Sequence, residues 1–113
     1  MLVNDLENFT GTESYTRHGL NRAFLYTEGV EYFAEQAGAY WFLDIMATEV
    51  FELQGNNPFI SVEMTVFDQK AVINATDGDE THLWGKRISF TDCPEGTYKF
   101  FMIDHVFLLR SEY

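Results

Sequence analysis

Cysteine occurs once, proline twice, and lysine and arginine together seven times in these 113 residues. Each shortage closes off a class of protein. A single cysteine, Cys93, cannot form a disulfide within the chain, so the fold must rest on packing, and nothing indicates an oxidising compartment. Seven bases against 18 acids give a formal charge of −11 and a pI near 4.4. That balance works against binding nucleic-acid phosphates, which requires clustered Lys and Arg, and against an anionic membrane surface. No apolar run approaches the roughly 20 residues of a membrane span. The first residues, Met1-Leu2-Val3-Asn4-Asp5-Leu6-Glu7, carry acids where a signal peptide carries Lys or Arg. The expected compartment is therefore the cytoplasm. No Gly-rich phosphate loop, GxGxxG or GxSxG string is present.

What the chain does have is apolar bulk. Hydrophobic residues make up 46% and aromatics 17%, enough to build a core despite the charge. One domain over residues 1–113 is expected from the length. Val30, Phe33, Ala34 and Ala37 fall at the spacing of one helix face, with Glu28, Glu31 and Glu35 on the other and Thr27 placed to cap the start. After Gly38 the run around Tyr40-Trp41-Phe42-Leu43 and Ile45-Met46-Ala47 is apolar on nearly every side. This predicts helices over 28–37 and 39–53, bent at Gly38. Gln54-Gly55-Asn56-Asn57-Pro58 ends the second.

Beyond Pro58 the period becomes two. Ile60, Val62, Met64 and Val66 alternate with Ser61, Glu63 and Thr65. Asp68-Gln69 is a turn, Ala71, Ile73 and Ala75 mark a returning strand, and Asp77-Gly78 centres a hairpin. Leu83–Phe90 is a third strand. Tyr98–Ile103, apolar on both faces, belongs well inside the sheet, and Val106–Leu109 closes it. The expected fold is α+β, two consecutive helices packed on a 4–5-stranded antiparallel meander. Ala23-Phe24-Leu25-Tyr26 can join a sheet edge or pack on the helices.

Three groups of residues can carry chemistry. Glu13, Arg17 and His18 offer an acid–base pair with an anion clamp, or simply local charge neutralisation. Asp44, the one charge between Ala37 and Thr48, reads as a buried carboxylate paired with Arg17, His18 or Arg22. Asp77, Asp79 and Glu80 lack the calcium-loop spacing and read as a solvated hairpin tip. His18, His82 and His105 are too widely spaced for a zinc motif, and Cys93 has no nearby base to activate its thiol, so neither metal nor cofactor is expected.

The strings Phe9-Thr10-Gly11-Thr12-Glu13 with Tyr15 and Arg17-His18, Tyr26-Thr27-Glu28-Gly29-Val30, Ala37-Gly38-Ala39-Tyr40-Trp41 with Asp44, Phe90-Thr91-Asp92 and Ser111-Glu112-Tyr113 run over nearly the whole chain. Together they resemble a family of small bacterial and phage-associated proteins described as a domain of unknown function. Arg110 stands where that pattern has proline. The resemblance implies a shared fold and no activity. Two functions then stand side by side. One is an acidic interaction protein, a phage-type inhibitor covering a basic, nucleic-acid-binding surface of a host defence complex. Glu28, Glu31, Glu35, Glu49, Glu52, Asp77, Asp79 and Glu80 would make the contact. The other is a small enzyme or ligand-binding domain using Glu13, Arg17, His18 and Asp44. A structural or homo-oligomerising module is a third.

Overall fold

Alternation and helical spacing divide the chain as their periods require. The computed structural model describes residues 2–11, 14–79 and 81–113. A short helix α1 (Leu2–Leu6) precedes strands β1 (Tyr15–Arg17) and β2 (Leu25–Thr27), and β2 runs straight into helix α2 (Glu28–Ala37). Helix α3 (Tyr40–Ile45) continues as a π-helical turn over Met46–Val50 and a 3-10 turn over Phe51–Gly55. Five strands follow: β3 (Phe59–Phe67), β4 (Lys70–Thr76), β5 (His82–Ile88), β6 (Gly96–Ile103) and β7 (Val106–Leu109), with a last 3-10 turn over Arg110–Glu112.

The α+β class is as expected, and the sheet is larger. Its seven strands run β1-β2-β7-β6-β3-β4-β5. β3, β4 and β5 form the meander. β6 then crosses back to pair with the far edge of β3, where a strand apolar on both faces is sheltered by neighbours. β2 pairs with β7 in parallel, Leu25 opposite Val106 and Tyr26 opposite Phe107, so the sheet is mixed rather than a pure antiparallel meander. The added strands β1 and β2 have three residues each, too few to show a period of two.

The α2–α3 break has a local cause. Gly38 adopts φ 62°, ψ 37°, a left-handed cap whose N–H bonds Ala34 O, and Ala39 N bonds the same carbonyl at 2.8 Å. At the other end Thr27 Oγ1 accepts from Val30 N. The wider π turn leaves the Ala47 carbonyl to Asn21 Nδ2, 2.9 Å away, which fixes the N-terminal segment to the helices. Asp68-Gln69 and Asp104-His105 both have positive φ at two successive residues, the geometry of tight hairpin turns.

The core lies between the helices and one sheet face. Phe33, Phe42, Phe100 and Phe107 are fully buried, each contributing roughly 2–3 kcal/mol by leaving water. Phe33 lies edge-on to Phe42 and Phe100, while Phe100 stacks on Phe107 at 5.0 Å. Gln54 is the buried polar tie. Its amide donates to Pro58 O and Met102 O and accepts from His105 N at 2.7 Å, holding the helix end to the β6–β7 turn. On the opposite face Phe59 and Phe101 meet the ring of Tyr113.

Candidate functional site

Along α3 and the turns that continue it, Tyr40, Asp44, Thr48 and Glu52 are exposed at every fourth position. This row points away from Phe42, Leu43, Met46 and Val50, which are buried. Asp44 is therefore not buried, as its apolar neighbours suggested, but 56% exposed in its side chain. Its partner is His18, Nε2 to Oδ1 at 2.8 Å.

His18 itself is buried, with an edge contact to Phe24. Its Nδ1 accepts from the N–H groups of both Leu20 and Asn21, at 3.1 Å each. Nδ1 therefore carries no proton in this arrangement, and Nε2 is the nitrogen that donates to Asp44. With both ring nitrogens engaged, His18 pins the 18–24 segment to α3 and has no free lone pair for a substrate. Arg17, one residue earlier on β1, turns to the Arg22 carbonyl. Arg17, His18 and Asp44 line neither the cavity beside Val3 and Lys99 nor the one beside Tyr15 and Asp104. Glu13, Glu80 and Thr12 lie outside the described residues.

Two tyrosines show which acids stand together. Partial burial raises the pKa of Tyr40, and the charges of Glu31 and Glu35 raise it further. Tyr26 is raised first by burial, then by Glu31, Tyr40 and Asp44. Glu31 thus lies near both tyrosines, Glu35 near Tyr40 and Asp44 near Tyr26, an acidic ledge along α2 and α3. Glu31 also accepts from Thr16 Oγ1 of β1 at 2.9 Å. Glu35 and Glu52 are exposed, and Glu28 is half-buried in the first turn of α2. Glu49 differs, since Lys86 of β5 pairs with it at 2.9 Å.

The hairpin tip is separate from the ledge. Gly78 sits against Phe59, which alternates with buried Ile60 and so faces away from the helices. Asp77 Oδ1 accepts from Asp79 N and Thr81 N, and the Asp79 bond chiefly lowers its pKa. Asp77 therefore organises its own loop.

Glu112 is the residue whose part was not legible beforehand. It is buried 8% exposed, beside the start of α2. Thr27 Oγ1 donates to Oε1 at 2.6 Å, Leu109 N donates to Oε1 at 3.0 Å, and Gly29 N approaches Oε2 at 3.4 Å. A carboxylate beside the first turn of a helix is favoured by the helix dipole. The pairing of Tyr26-Thr27-Glu28-Gly29 with Ser111-Glu112 in three dimensions has no signal in either string alone.

Among the described residues no cluster of three His, Cys, Asp or Glu side chains is arranged to hold a metal ion, and no helix is long and apolar enough to cross a membrane. Neither a curated protein nor a solved structure matches the chain. A family model does, over residues 1–113, and the chain belongs to that family, DUF6876, a family of unknown function.

Proposed function

We propose that the chain is an acidic interaction module whose helical ledge docks on a Lys- and Arg-rich protein surface. The observation that carries this reading is the grouping of Glu31, Glu35 and Asp44 around Tyr26 and Tyr40. The exposed row ending at Glu52 continues the ledge. Acids gathered on one side steer a basic partner and hasten association, whereas evenly spread acids chiefly serve solubility. Exposed Tyr40 supplies the amphipathic anchor such contacts favour. The concrete form is a phage-type inhibitor that covers a nucleic-acid-binding surface of a host defence complex. The enzyme alternative with Glu13, Arg17, His18 and Asp44 has less support, because His18 spends both ring nitrogens inside the fold.

The test is capture of host proteins on the immobilised chain at low salt, followed by association kinetics with the protein recovered. Glu35→Lys with Glu52→Lys is the informative variant, since both side chains are exposed, whereas Glu31 and Asp44 hold Thr16 and His18. Association should slow several-fold and lose much of its salt dependence. Unchanged kinetics, or capture of no basic protein, overturns the reading.

A further inference from the structure

β6 is longer than the strand beside it. It pairs with β3 from Gly96 to Ile103, but with β7 only from Phe100 to Ile103. β7 stops at Leu109, and the chain turns away into the 3-10 turn over Arg110–Glu112. The outer edge of Thr97–Lys99 therefore faces a gap, while Val3 of α1 lies against Gly96. Among the described residues no loop or helix backbone bonds to it. Alternate backbone N–H and C=O groups of a strand point to each side, so this stretch presents donors and acceptors with no strand to meet them.

The gap is a cavity of about 410 Å³, with Val3 and Leu6 of α1 and Leu109 among its apolar lining. Its charged lining is Lys99, Arg110 and Glu7. Neither Lys99 nor Arg110 has an ion-pair partner among the described residues. In a chain of charge −11, the cavity lining itself carries two cations against one carboxylate, with Glu63 of β3 opposite Lys99 in the ladder.

We propose that this notch takes the end of an extended peptide, which adds a short strand to the outer edge of Thr97–Lys99 and sets its terminal carboxylate on Lys99 and Arg110. Length fits the occupant. Three strand residues span roughly 10 Å, and the cavity falls within the roughly 300–1,000 Å³ range of ligand sites. The chemistry fits as well: main-chain pairing gives affinity in strand addition, and charged donors strengthen the bonds to a carboxylate. Glu7 selects against acidic side chains near the peptide end, favouring an apolar body. The notch uses none of the ledge residues, so this site stands or falls independently of the ledge.

The test is amide-shift titration of the 15N-labelled chain with N-acetyl-Ser-Val-Thr-Val, as free carboxylate and as terminal amide, and with octanoate. The peptide carboxylate should shift the amides of residues 97–99, 110 and 111 saturably, and the amide form should bind about tenfold more weakly. Lys99→Gln with Arg110→Gln, both exposed substitutions, should abolish that difference. Absence of saturable shifts at these residues overturns the proposal. So does equal binding of carboxylate and amide, or octanoate binding as tightly as the peptide, since octanoate offers no backbone to pair.

Discussion

Gly29 and Glu112 meet so closely that no side chain fits between them. A Cβ built on Gly29 would lie 2.7 Å from Glu112 Oε1 and 2.7 Å from Leu109 Cδ1. In an ordinary helix Gly→Ala gains about 1 kcal/mol. Here overpacking opposes that gain, and Gly29→Ala should lower stability by about 1–3 kcal/mol in urea unfolding. A variant more stable than the parent would show that the carboxylate can move aside freely.

Removing the carboxylate has its own cost. Glu112→Ala leaves the Thr27 hydroxyl and the Leu109 and Gly29 amides without this acceptor. A loss of about 2–4 kcal/mol is expected for buried groups deprived of a charged partner. It also removes one of the two close contacts that oppose Gly29→Ala, leaving that with Leu109. The double variant should therefore lose less than the sum of the single losses, and strict additivity would place the two residues out of contact.

His18 and Asp44 should respond unequally to truncation. Asp44→Ala removes one hydrogen bond from an exposed side chain, worth about 1 kcal/mol or less. His18→Ala opens a buried site and strips two backbone N–H groups of their acceptor, so about 2–4 kcal/mol should go. Equal thermal melts for the two variants would contradict the assigned geometry.

Helix α2 and strands β3 and β4 are readable because each repeats its period several times, whereas the stretch expected as one helix over 39–53 is α-helical only over Tyr40–Ile45. Phe59–Phe67 alternates over nine residues, and α2 keeps Val30, Phe33, Ala34 and Ala37 on one face. The β2–β7 pairing was not readable, because Leu25 meets Val106 by parallel register between distant segments. Asp44 reads as buried in the sequence because its neighbours there are apolar. The four-residue row Tyr40, Asp44, Thr48, Glu52 held the correct signal, since polar groups repeating at that spacing mark an outward face.

Alkaline pH should weaken the fold. Tyr98 is buried, and its hydroxyl donates to Pro94 O at 2.5 Å. Burial pushes its pKa well above the ordinary value, with Cys93 adding to the shift. The folded chain thus holds this proton more tightly than the unfolded chain. The resulting stability is fully present below the ordinary tyrosine pKa of about 10 and is lost as pH rises towards the folded value. Tyr26 and Tyr40 act in the same direction. Urea midpoints should fall above about pH 10, and Tyr98→Phe should flatten that fall. Midpoints that hold constant to pH 11 would contradict the burial of this hydroxyl.

One turn is open to improvement. Asp68 and Gln69 adopt φ 54° and 61°, where side-chain-bearing residues are strained. Asp68→Asn with Gln69→Gly supplies the residues this turn prefers and should raise stability by about 1 kcal/mol. The backbone contacts of Asp68 N with Glu95 and of Gln69 O with Thr91 N remain available. A lower melting temperature would mean that the side chains themselves hold the turn.

The bond between Thr27 and Glu112 spans 85 positions of sequence. During synthesis, α2 emerges long before the carboxylate that sits on its first turn. The β2–β7 ladder is likewise unavailable until Val106 and Phe107 have left the ribosome. Contacts at such separation form slowly because a long loop must close first. The nascent chain therefore waits with its aromatic helix face uncovered, and chaperone capture competes with folding during that interval.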